Sequence, residues 1–98
     1  MSNDQKFDLG AVYLTRRVAD TFGEEQEPII ELLQRHARGD WGSVGAEDAA
    51  SNDQALIDGN QLLSAYTLPD FRGGETIKLW VITEADRATT TVLFPGEY

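Results

Sequence analysis

Cysteine is absent from the chain, which removes disulfides, thiolate metal ligands and thiol nucleophiles and fits a reducing compartment. Histidine occurs once, at His36, so a tetrahedral zinc site lacks its usual ligands. Long apolar runs are missing too. Nothing approaches the roughly 18 residues that cross a bilayer, and Met1–Phe7 lacks the basic-then-apolar order of a signal peptide. A soluble, cytoplasmic protein with no membrane partner is expected. Bases are the scarcest feature relative to need. Eight Lys and Arg face seventeen Asp and Glu, giving a net charge of −9 and a pI near 4.3. Between Gly39 and Phe71 there is no base at all, while Asp40, Glu47, Asp48, Asp53, Asp58 and Asp70 fall in that stretch. Direct binding to nucleic acid or an anionic membrane is disfavoured, because such affinity rests on cations that neutralise phosphates.

Local chemical motifs are equally sparse. The Asp-x-Asp-x-Asp-Gly spacing of a calcium loop does not occur around Glu47-Asp48 and Asn52-Asp53. Gly73-Gly74 precedes a strand and not a phosphate-cradling helix, and no Gly-x-Ser-x-Gly elbow places a serine nucleophile. No cofactor and no metal are expected.

What is present is a pattern for one domain over residues 1–98, large enough for a single modest core. Its centre is a hairpin: Thr76–Thr83, a polar corner Glu84–Arg87, then Ala88–Phe94. Both arms are rich in β-branched and aromatic residues. In the first arm Ile77, Leu79 and Val81 share one face, with Trp80 and Ile82 on the other, which suits a strand in the middle of a sheet with something packed on each side. Ahead of it, Gln61–Leu68 reads as a strand, turned by Pro69-Asp70 and Gly73-Gly74. At the amino end Lys6–Leu14 reads as a first strand with Phe7, Leu9, Ala11 and Tyr13 on one face, and Gly10 marks a bulge or a close contact.

Three helical segments lie between. Thr15 caps a short one whose stripe is Leu14, Val18 and Phe22, ended by Gly23. Pro28 opens the second, in which Ile29, Leu32, Leu33 and His36 share a face. Glu24, Glu25 and Glu27 precede it and Arg35, His36 and Arg38 end it, the order the helix dipole favours, before Gly39 as a left-handed stop. Glu47–Ile57 is a third helix, or two turns broken near Ser51-Asn52, where Ser51 and Gln54 have capping-box spacing. The fold class is α+β. An antiparallel sheet, made of a C-terminal three-stranded meander plus an N-terminal strand, packs against two or three short helices.

His36 could serve as a general base with Asp40, or with Glu84, Asp86 and Arg87 at the hairpin corner, the composition of a metal-independent ribonuclease. Its place on the apolar stripe reads instead as a half-buried structural histidine near a helix end that favours its cation. Trp41 and Trp80 read as core residues with their indole N–H groups satisfied. Trp41 reads alternatively as an exposed anchor in an acidic surface.

Several stretches resemble a group of small acidic proteins carried by plasmids, integrative elements and phages. They are Arg35-His36, Gly39-Asp40-Trp41-Gly42, Glu47-Asp48, Asn52, Leu62–Tyr66, Trp80–Arg87, Thr90-Thr91 and Glu97-Tyr98. Where those relatives start a helix with Thr-Pro, this chain has Thr15-Arg16. The resemblance brings no catalytic residues and implies a mobile-element setting. Small acidic cysteine-free proteins of that setting resemble anti-CRISPR and anti-restriction inhibitors, several of which use carboxylates as a surrogate for DNA phosphates. The expectation is therefore a non-enzymatic inhibitor whose partner is a protein with a basic DNA-binding surface. Asp40, Trp41, Glu47, Asp48, Asp53 and Asp58 are its candidate partner-binding residues. A small toxin-type ribonuclease using His36 and the Glu84–Arg87 corner is the alternative.

Overall fold

The computed structural model describes residues 5–70 and 73–98. Met1–Asp4, and the Phe71-Arg72 portion of the turn expected before the hairpin, lie outside the described residues. In chain order the elements are β1 (Ala11–Leu14), α1 (Arg16–Phe22), α2 (Glu27–Ala37), α3 (Ala46–Asp58), β2 (Leu62–Pro69), β3 (Thr76–Thr83) and β4 (Thr89–Leu93), closed by a 3-10 turn over Pro95–Glu97. This is the expected α+β class. The four strands lie in the order β1-β4-β3-β2.

The sheet is mixed, which corrects the expected antiparallel arrangement. β2, β3 and β4 form the antiparallel meander, but β1 runs parallel to β4, with Val12 beside Thr90. Everything from α1 to β3 intervenes between these two strands, so no hairpin forces them to be antiparallel.

β1 is also shorter than the expected Lys6–Leu14. Gly10 adopts φ 67, and a Cβ there would stand 2.3 Å from the Ala88 carbonyl oxygen. The chain bends at this close approach, so the residues before it cannot continue the ladder. Lys6 instead donates its N–H to the carbonyl of Ala37 at the end of α2. Of the residues expected to share one face, Phe7 and Leu9 are half-buried, while Ala11 and Tyr13 are exposed.

The helices pack on one face of the sheet. Val18 and Phe22 of α1 and Ile29 and Leu32 of α2 meet Tyr66, Ile77, Leu79, Val81 and Val92 in one core. The register explains this grouping, because Tyr66 lies opposite Leu79 and Val81 opposite Val92, which puts their side chains on the same side. Leu33 is only half-buried, so the apolar stripe of α2 centres on Ile29, Leu32 and His36. Thr15 caps α1 by accepting the Val18 N–H at 3.2 Å. The end of α2 is a Schellman motif: Gly39 at φ 84 donates to the His36 carbonyl and Asp40 to that of Arg35.

α3 is one unbroken helix along the β2 edge, where Ala55 packs with Trp41 and Leu62. The opposite face of the sheet carries no helix of the main core. There Trp80 is half-buried, and the C-terminal turn folds back so that the Tyr98 ring meets the Trp80 indole, with centroids 5.7 Å apart.

Candidate functional site

The sequence offers four candidate groups: the lone histidine, the Glu84–Arg87 corner, the Gly39–Gly42 loop and the acids of α3. The fold assigns them different roles.

His36 is wholly buried, with no exposed surface, and so are Ser64, Thr83 and Thr90 around it. Its Nδ1 lies 2.5 Å from the Ser64 hydroxyl and its Nε2 lies 2.9 Å from the Thr83 hydroxyl. Thr83 is 2.7 Å from Thr90, and the Thr90 hydroxyl donates to the Leu9 carbonyl at 2.7 Å.

Each hydroxyl has one proton, which fixes the direction of the chain. Thr90 spends its proton on Leu9 and must accept from Thr83; Thr83 must then accept from His36. The neutral ring therefore carries its proton on Nε2, and Nδ1 accepts from Ser64. Burial, with the nearby Arg87 cation adding to it, pushes the imidazole pKa down to about 4. The half-buried histidine with a favoured cation that the helix end suggested is thus overruled. Loss of water costs the charged ring more than the helix dipole returns. Phe7 and Trp41 close over the ring edge-on, with centroids 5.2 and 5.8 Å away. His36 ties α2 to β2 and β3 and, through the two threonines, to β4 and the amino-terminal segment. It offers no face to a substrate.

The hairpin corner is also committed. Arg87 sits in the left-handed region at φ 61. Its Nη1 donates to the carbonyls of Asn60 (2.7 Å) and Glu84 (3.1 Å), and its Nη2 to that of Ala55 (3.1 Å). A cation on the last carbonyls of α3 matches the negative end of the helix dipole. Asp86 accepts from the Ala88 N–H. Ribonuclease-like pairing of these groups with His36 is not formed.

Of the candidate partner-binding residues, Asp40 is paired at once. It bonds Arg35 through Nε at 2.7 Å and Nη2 at 3.3 Å, and this hydrogen bond holds its carboxyl below the usual range while raising Arg35. Asp40 also accepts the Gly42 N–H. The Arg35 guanidinium lies over the Tyr66 ring, 4.7 Å from its centroid. Tyr66 donates to the Asp40 carbonyl at 2.6 Å, and burial pushes its phenol up to about 12.

Trp41 is buried at 6% exposure, with its indole N–H on Asp53 at 3.0 Å. The core reading of Trp41 therefore stands and the exposed-anchor reading is corrected. The indole is taken up by the cluster of Ala55 and Leu62, beside Phe7. Gly42 completes the loop at φ 77, where a Cβ would fall 1.9 Å from the Ala65 carbonyl oxygen. Gly39–Gly42 is a corner that locks α2, α3 and the β2 edge together.

The fold leaves Glu47, Asp48, Asp53 and Asp58 exposed on α3. Asp53 holds the Trp41 indole and Asp58 accepts from Gln54; neither Glu47 nor Asp48 has a base beside it. The ion pairs Arg16–Asp20 and Arg35–Asp40 involve no acid of α3.

No two of these four acids stand three or four residues apart. On one continuous helix Glu47 and Asp58 face outward and Asp48 and Asp53 flank them on either side. They make a broad negative surface and not a row that matches successive phosphates. Among the described residues no group of three or more His, Asp or Glu is arranged to hold a metal ion, and no helix is long and apolar enough to cross a membrane.

Asn52 was missed as a working residue. Its side chain donates to the Leu63 carbonyl at 2.7 Å and accepts the Leu63 N–H at 3.1 Å. A poor helix former in mid-helix was the available signal, but the sequence suggested a break there instead. No family model matches the chain, and neither a curated protein nor a solved structure is significantly similar to it.

Proposed function

We propose that the protein is a non-enzymatic inhibitor that presents the outer surface of α3 to the basic DNA-binding channel of a host nucleic-acid-processing defence complex. The observation that supports this reading is the set of exposed, unneutralised carboxylates Glu47, Asp48, Asp53 and Asp58 on one rigid helix. A helix anchored by Asn52, Ala55 and Arg87 holds its charges in fixed places. The negative potential is therefore organised before contact, which favours steering towards a cationic channel. Because the acids wrap around the helix, the mimicry is of charge density and not of phosphate register. A CRISPR effector or a restriction complex has the required surface chemistry. The ribonuclease alternative is less favoured because His36 is wholly buried and bonded to Ser64 and Thr83.

The test compares two triple charge reversals in a host that carries an active defence system. Glu47, Asp48 and Asp58 are changed to Lys in one variant, which spares the Asp53–Trp41 bond. Glu24, Glu25 and Glu27 are changed in the other. The α3 variant should lose inhibition and release the captured complex, while the second variant keeps most of both. Capture by the wild type should weaken with added salt and with competing duplex DNA. Equal inhibition by both variants and the wild type would end the mimicry reading.

A further inference from the structure

The two edges of the sheet are treated differently. On β2, Leu63 has both its N–H and its carbonyl taken by the Asn52 side chain. Ala65 donates to the Trp41 carbonyl at 3.1 Å and accepts from the Ser43 N–H at 2.7 Å. Pro69, at the end of the strand, has no N–H to offer. Thr67 is the one residue between them whose outward backbone has no such partner among the described residues.

Among the described residues the β1 edge has no protection of this kind. Ala11 and Thr15 donate to the Ala88 and Val92 carbonyls at 2.9 and 3.1 Å, so alternate residues of β1 face β4. Val12 and Leu14 therefore aim their N–H and C=O outward, and no hydrogen bond among the described residues uses them. No proline, lysine or bulge interrupts Ala11–Leu14, and Val12 and Tyr13 are 41% and 55% exposed. Such a bare, apolar edge is a template for another strand.

We propose that the occupant is a second copy of this chain. Its β1 lies antiparallel to the first across a two-fold axis at Tyr13, so that one sheet runs through both molecules. Val12 of each copy then pairs with Leu14 of the other, and the two Tyr13 side chains meet on the face away from the helices.

Charge selects this occupant. Residues 9–15 carry no charge, and the segment from Gln5 to Ala19 has Lys6, Arg16 and Arg17 against the single acid Asp8. In a chain of net charge −9 this is a stretch where two copies approach without repulsion. Antiparallel pairing also brings the Asp8 end of each strand towards the Arg16-Arg17 end of its partner. The proposal is independent of the inhibitor reading. It leaves α3 free, because α3 lies against the opposite edge of the sheet and so stands at the two outer ends of the pair.

Sedimentation velocity from micromolar to several hundred micromolar tests it, with monomer mass 10.8 kDa as the reference. The wild type should move towards twice that mass. Val12→Pro removes only the outward N–H and blocks the edge, and Val12→Lys puts a charge there. Each should raise the dissociation constant at least tenfold while far-UV circular dichroism and the melting temperature are kept. Should the proline variant fail to fold, the lysine variant carries the test. Thr67→Lys, on the β2 edge, should associate like the wild type. A wild type that stays monomeric over the whole range overturns the proposal. So does a dimer that survives both Val12 substitutions or is lost in Thr67→Lys.

Discussion

Acid should destabilise this protein through its buried histidine. His36 is neutral in the fold with its pKa pushed down to about 4 by burial, against an ordinary value of 6.5. The unfolded chain therefore binds a proton in a pH range where the folded chain does not. The stability contributed by the neutral ring is fully present above pH 6.5 and is lost progressively as pH falls through the window to about 4. Between pH 7.5 and 4.5 the linkage amounts to about 2.5 kcal/mol, a large share of the roughly 5–15 kcal/mol typical of a domain.

Urea denaturation at several pH values measures it in the wild type and in His36→Gln. The glutamine keeps a donor for Thr83 and does not titrate. It should be less stable at neutral pH, since Ser64 loses its acceptor, yet the gap should narrow by about 2.5 kcal/mol on going to pH 4.5. Carboxylates titrate in both proteins and cancel in the difference. A gap that stays within about 0.5 kcal/mol across the range would refute the sealed, neutral imidazole. Nitrogen-15 shifts of the ring supply a second check, with Nε2 protonated at neutral pH.

Three further outcomes follow from the packing. Leu32→Ala should cost about 2–5 kcal/mol in denaturant titrations, because Leu32 is 1% exposed, whereas the half-buried Leu33 should cost clearly less when truncated. Asn52→Ala strips both bonds from the Leu63 backbone and should cost about 1–3 kcal/mol, with faster amide exchange at Leu63 as its signature. Gly42→Ala should be far more damaging than Gly59→Ala. Both positions have positive φ, but a Cβ at Gly42 meets the Ala65 carbonyl and one at Gly59 meets nothing within 4 Å; melting temperatures of the two variants decide it.

Elements whose signals are local were legible in the sequence. The hairpin arms, the Thr15 cap, the acidic-to-basic run of α2 and the Gly39 stop each depend on residues within a few positions of one another, and they stand nearly where the spacing puts them. The acidity of α3 was equally legible, because charge is counted residue by residue and nothing in Gly39–Phe71 can offset it.

Long-range decisions were not legible. The parallel placement of β1 depends on Gly10 meeting Ala88 and on a strand more than seventy residues downstream. The neutral state of His36 depends on Ser64, Thr83 and Thr90 closing a hydrogen-bond chain from three different strands. Trp41, an anchor or a core residue on paper, was settled by Asp53 and Phe7 arriving from either side. Sequence alone thus determined the elements and the charge that any partner must meet. Which groups spend that charge on one another, and which edge stays open, was decided only when distant residues were brought within hydrogen-bonding distance, since burial and pairing belong to the assembled fold.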